Sequence, residues 1–138
     1  MAWYADLAEC NYFGTFHPSL LRAIGWLECG KSYAQGDVDI QVLNKLAELL
    51  KDSWAPVFFM GVHRCSLCPG KGEMGSANMF IPDDGFLFVC PELILHYIKD
   101  HQYSPPSEFC EAVLACPSMN STAYLEAVEP LWSRAKTP

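Results

Sequence analysis

Basic residues are scarce in this chain: nine lysines and arginines stand against sixteen acids, a net charge of −7 over 138 residues. The nine (Arg22, Lys31, Lys45, Lys51, Arg64, Lys71, Lys99, Arg134 and Lys136) are scattered rather than clustered. A phosphate backbone repels such a chain, so nucleic acid is not an expected partner, whereas a basic protein surface is. Long apolar runs are missing too, and no stretch of 18 apolar residues is present to span a bilayer. The start, Met1-Ala-Trp-Tyr-Ala-Asp6, has neither the basic nor the apolar region of a secretory signal. With an odd count of seven cysteines, this predicts a reducing, cytoplasmic setting in which cysteines are core residues or metal ligands, not a disulfide framework. Cys10, Cys29, Cys110 and Cys116 then read as small buried hydrophobes. Catalytic motifs are also lacking: there is no H-E-x-x-H, no G-x-S-x-G and no P-loop. The zinc deaminase signature fails as well, since no H-x-E occurs and Pro69 follows the second cysteine of its pair.

What is present is a composition that folds. Hydrophobic residues make up 51% of the chain and charged ones 18%, which excludes a disordered segment. The length suits one domain, 1–138, in three parts. Residues 1–53 read as mostly helical, behind an aromatic arm carrying Trp3, Tyr4, Tyr12, Phe13 and Phe16. His17 to Leu27 predicts a helix that starts on Pro18, carries Leu20, Leu21, Ile24 and Leu27 on one face and stops at Gly30. A second helix is expected to be capped by Asp39, with Ile40, Leu43, Leu46, Ala47 and Leu50 inward, and to end near Asp52.

Residues 54–103 change character. Val57 to Val62 has the composition of a buried strand, and the glycine-rich stretch from Pro69 to Asn78 reads as a loop. Asn78–Ile81 and Phe86–Val89 form a predicted hairpin about Pro82-Asp83-Asp84-Gly85. A helix follows from Pro91 and stops soon after His101. Residues 104–138 read as two helices, one capped by Ser104 or Ser107 and ended by Pro117, the other capped by Ser121 and ended or kinked by Pro130. The expected class is α+β: a small antiparallel sheet with a zinc-knuckle, ββα-like element, flanked by N- and C-terminal helices.

The chemistry lies in the middle part. Cys65 and Cys68 form C-x2-C, and His96 and His101 form H-x4-H after 27 intervening residues. Two thiolates on a knuckle and two imidazoles on a helix are a tetrahedral zinc set with a structural role, because four protein ligands leave no position for a reacting water. One geometric demand follows. At 100° per residue, positions five apart sit about 140° apart on a regular helix, so the last turn must loosen or tighten for both histidines to reach one ion. His63, on the same strand side as Cys65, is the alternative ligand, and Cys90, six residues before His96, is a further candidate. His63, Cys65 and Cys68 would make an open, catalytic three-ligand set. Glu73, Asp83, Asp84 and Glu92 read first as turn and helix-terminus residues.

From about Trp54 onward the chain resembles a family of small uncharacterised bacterial proteins. The matching words are His63-Arg-Cys-Ser-Leu-Cys68, Ala77-Asn-Met-Phe-Ile-Pro82, Gly85-Phe-Leu-Phe-Val89, Pro91-Glu-Leu-Ile-Leu-His-Tyr-Ile-Lys-Asp-His-Gln-Tyr103, Pro105-Pro106 and Glu108-Phe-Cys-Glu-Ala-Val-Leu-Ala-Cys-Pro117. Tyr12-Phe13-Gly14 and Gly25-Trp26-Leu27 extend the likeness toward the N-terminus. The resemblance implies that His63, Cys65, Cys68, His96 and His101 form one constellation, with Cys90 at a variable place, and it implies no activity. The expected function is a zinc-stabilised, non-enzymatic protein that binds another protein, as an adaptor or immunity-type protein does. A metal-dependent enzyme is the alternative, and a zinc-finger-like nucleic-acid binder comes third.

Overall fold

The computed structural model describes residues 3–12, 18–54, 62–70 and 72–135. The architecture is α+β, with helices packed around two small sheets. The central hairpin is the one expected. Strand β4 (Asn78–Pro82) pairs antiparallel with β5 (Leu87–Pro91), and Phe80 stands opposite Val89. Gly85 takes φ 85° in the turn, a conformation only glycine enters without strain. Every residue of β5 is buried, as befits the middle strand of a sheet covered on both faces.

The third strand overturns an expectation. The segment predicted as the first helix instead gives a 3-10 turn (Pro18–Leu20) followed by strand β1 (Leu21–Ala23), which pairs parallel with β5 and makes the sheet mixed. Leu21 and Ala23 are buried and Arg22 lies between them, a period of two that coexists in this segment with the helical spacing of its leucines. Pairing to β5 decides between the two periods. Gly25 then fixes the outcome with φ 73°, a kink in which an added Cβ would meet Ile94 Cγ1 at 3.2 Å. Trp26 follows fully buried, and its indole donates to the Val89 carbonyl at 3.0 Å. The N-terminal arm lies along β1: Leu7 and Cys10 donate to the carbonyls of Ala23 and Leu21, and Ala23 donates back to that of Ala8. Tyr4 and Tyr12 pack on the Trp26 ring, as an aromatic arm should, while Phe13 and Phe16 lie outside the described residues.

Helix α1 (Ile40–Lys51) begins where expected, with Asp39 accepting from the Gln41 amide at 2.8 Å. Its buried face is Val42, Leu46 and Leu49; Ile40, expected inward, is exposed. The predicted strand over 57–62 falls almost wholly outside the described residues, and Val62, its last residue, is exposed and not in a strand. Two-residue strands β2 (His63–Arg64) and β3 (Met74–Gly75) pair antiparallel, so the segment read as one loop contains a strand. Pro91 ends β5 rather than opening a helix, and α2 spans Ile94–His101. Helix α3 (Ser107–Ala115) is preceded by Pro106, whose carbonyl takes the Phe109 and Cys110 amides, so neither Ser104 nor Ser107 caps it. Helix α4 (Thr122–Ala135) starts on Ser121, which accepts from the Tyr124 amide, and runs on through Pro130.

Helices α3 and α4 pack on the sheet, and α1 packs on α2 and α3. Trp54, Phe80, Tyr124 and Trp132 meet edge to face with centroids 5.2–5.9 Å apart, joining α4 to β4. Beside this core stand the β2–β3 pair and α2, which carry the cysteines and histidines of the site.

Candidate metal centre

Four of the predicted residues converge. The donor atoms of Cys65, Cys68, His96 and His101 all lie within 4.8 Å of one another, and the group can hold a metal ion. Cys68 Sγ is 3.1 Å from His96 Nε2 and 3.4 Å from His101 Nε2. Cys65 Sγ is 3.5 Å from His101 Nε2, and the two Nε2 atoms are 3.2 Å apart. Cys65 is buried; the other three are partly covered.

The cysteine half is built by the backbone. The Cys65 amide donates to the Glu73 carbonyl at 2.7 Å, continuing the β2–β3 pairing into the base of the knuckle. Backbone bonds from Leu67 and Cys68 reach the Cys65 sulfur and favour its thiolate, but burial is the larger influence and pushes the thiol above its ordinary pKa. A bound cation reverses that balance, because a coordinated thiol is deprotonated. Gly70 turns the chain at φ 67°. Gly72 is needed for a different reason: a Cβ there would stand 2.2 Å from the Cys65 carbonyl oxygen and 3.2 Å from Cys68 Cβ. Ser66 adds an anchor, accepting from the Cys29 amide at 2.9 Å.

The histidine half meets the demand for a loosened turn. The Gln102 amide bonds the Tyr97 carbonyl, five residues back instead of four, and Gln102 itself is left-handed at φ 55°. The Tyr103 amide bonds the same carbonyl at 3.1 Å. A turn this wide holds more residues than an α turn, so positions 96 and 101 swing toward one side. Two further contacts fix the rings. Asp100 accepts from His96 Nδ1 at 2.8 Å, which leaves the Nε2 lone pair facing the thiols. The Tyr33 hydroxyl donates to the His101 carbonyl at 3.0 Å. Asp100 is one helical turn beyond His96, so its role is readable from the i,i+4 spacing; that of Tyr33 carries no such signal.

The other candidates are placed elsewhere. His63 is buried against Tyr12 and Trp26, with Nε2 3.3 Å from the Tyr12 hydroxyl; burial lowers its imidazole pKa. It does not join the four. Cys90 is fully buried in β5 opposite Met79, and burial raises its thiol strongly. Cys10 and Cys116 are core residues, Cys110 is half-buried, and Cys29, expected inside, is exposed. Glu92 ties down the chain between β3 and β4, accepting from the amides of Ser76 and Ala77. Asp83 and Asp84 lie exposed in the hairpin turn.

Fold and site together define an α+β domain with a Cys2His2 cluster set between a knuckle and a helix end. The chain belongs to the family described as "Domain of unknown function (DUF7919)", whose model matches residues 2–114. A search of curated proteins and one of solved structures each find no match.

Proposed function

We propose that this chain is a zinc-stabilised, non-enzymatic module that binds another protein, an adaptor or immunity-type protein of the bacterial cytoplasm. The observation that carries the reading is the closed set of two sulfurs and two nitrogens. Zinc–sulfur bonds of about 2.3 Å and zinc–nitrogen bonds of about 2.0 Å at tetrahedral angles separate S and N by about 3.5 Å, and the two nitrogens by about 3.3 Å. The separations here, 3.1–3.5 Å and 3.2 Å, fall within half an ångström of that figure. Two thiolates and two imidazoles also suit zinc better than the hard, oxygen-seeking cations. Such an ion joins β2–β3 to α2, segments too short to hold each other by apolar burial alone. The acidic balance of the chain supports a basic protein as the partner.

One observation favours a metal-dependent enzyme as the second reading. A cleft of about 300 Å3 lined by Glu73, Glu92, Asp100 and His96 adjoins the site. Cys65, Cys68 and His101 are not among its lining residues, so it approaches the imidazole from the Asp100 side and not the space between the four donors. X-ray absorption of the purified protein separates the two readings. One zinc per chain with two sulfur and two nitrogen neighbours is the expected result. Fewer than two sulfurs, or fewer than two imidazoles counted from the outer-shell scattering of their rings, would overturn the closed site and favour the enzyme. The partner reading is tested by co-purification, and recovery of no stoichiometric protein partner from the host would refute it.

A further inference from the structure

A second cavity, of about 410 Å3, lies between the N-terminal arm and the loop after Trp26; none of the four donor residues lines it, although its Tyr33 bonds the His101 carbonyl. Its lining residues include the aromatics Trp3, Tyr4 and Tyr33, the acid Asp6 and the apolar Leu27. That volume falls in the range of natural ligand sites. We propose that this cavity binds the ammonium end of a lysine side chain presented by a partner protein.

Three observations support the assignment. First, the negative faces of aromatic rings attract cations, and a wall of three such residues beside a carboxylate is the composition that selects an amine over a neutral chain. Second, Asp6 is rigidly held but has no cation of its own. Its carboxylate accepts the Tyr103 hydroxyl at 2.8 and 2.9 Å and the Gly25 amide at 3.0 Å, and no described lysine or arginine pairs with it. Burial raises its pKa, a penalty that an entering cation offsets. Third, Trp3 already attracts a cation: Lys31 Nζ lies 4.9 Å from its ring centroid, and Lys31 is not part of the cavity wall. Lys31 therefore competes with an incoming ammonium both for the ring and by like charge.

The choice of a protein lysine as the source rests on the protein-binding reading above. The test uses the metal-loaded full chain and follows the backbone amide resonances of the lining residues Ala5, Ser32 and Tyr33 by NMR during titration with three probes: Nα-acetyl-lysine-N-methylamide, its norleucine counterpart and tetramethylammonium. The lysine probe is expected to bind about tenfold tighter than norleucine, which has the same stem without the charge. Trp3→Leu, at a residue 39% exposed, is expected to weaken the lysine probe severalfold without unfolding the chain. Asp6→Asn is expected to remove the preference over norleucine, and Lys31→Met to tighten lysine binding. Equal affinity for norleucine, or unchanged affinity in Trp3→Leu, would overturn the proposal. Tighter binding of tetramethylammonium than of lysine would overturn the protein source. Metal content measured in the same samples keeps the two readings apart: lost probe binding with metal intact refutes the cavity alone, and lost metal with probe binding intact refutes the zinc-stabilised reading alone.

Discussion

Replacing Gly72 by alanine tests the knuckle with a single methyl group. The added Cβ would stand 2.2 Å from the carbonyl oxygen of Cys65 and 3.2 Å from that residue's carbonyl carbon. Carbon and oxygen in ordinary contact need about 1 Å more, and the obstacle is backbone, which cannot rotate aside as a side chain does. The displacement therefore falls on the peptide that carries a ligand. Metal–ligand distances tolerate only about 0.2 Å. We expect overpacking to cost about 1–3 kcal/mol of stability. Metal affinity should fall by about 10–100-fold, the scale seen when the residues supporting a ligand are lost. Gly70→Ala is the internal control: its φ of 67° makes alanine strained, yet a Cβ there has nothing within 4 Å. Strain alone costs about 1–2 kcal/mol and leaves the cysteines in place. Chelator competition for the bound metal, with urea unfolding of the loaded protein, measures both quantities. Equal metal affinity in the two variants would refute the claim that close approach at Gly72 sets the cysteine positions.

Cys65→Ser, Cys68→Ser, His96→Ala and His101→Ala should each abolish stoichiometric zinc in elemental analysis, while His63→Ala should keep it. The expected Cys65→Ser phenotype includes loss of the cooperative unfolding transition. Asp100→Asn should weaken zinc by roughly tenfold in chelator competition, near the low end of such effects because this carboxylate is 63% exposed. Tyr124→Phe removes a buried hydroxyl that donates to the Phe80 carbonyl, and should cost about 1–2 kcal/mol in urea unfolding without changing metal content.

The elements with strong local signals were legible in the sequence. Asp39 before a helical repeat, the Pro-Asp-Asp-Gly turn and the C-x2-C with its two histidines each depend on neighbours within a few residues or on a fixed ligand spacing. Even the angular conflict between His96 and His101 pointed to its own solution, a widened last turn at Gln102. The segment from Pro18 to Leu27 was misleading because its leucines satisfy a helix while Leu21 and Ala23 also satisfy a strand. Only a partner 66 residues away, with Leu21 opposite Leu87, settles the matter. Pro106 and Pro130 show the same limit, since tertiary packing keeps a helix start without a side-chain cap and a helix that continues through proline. His63 was a reasonable ligand by strand alternation, and burial does alternate from His63 through Arg64 to Cys65, but its ring packs against Tyr12 and Trp26, partners from distant parts of the sequence that alternation does not reveal.

The parallel pairing of β1 with β5 also has a consequence for how the chain assembles. β1 is made early and the N-terminal arm bonds one of its edges, but the edge that faces β5 has no partner until residues 87–89 exist, and Cys65 and Cys68 have no complementary pair until residue 101 does. On the ribosome, both closures wait for the same short stretch of late-made chain. Until then that edge of β1 is open and the thiols are exposed to oxidation or to stray metal. Emergence of residues 87–103 is thus the step at which the sheet and the metal site become possible together, and a nascent chain stalled before it should depend most on chaperones.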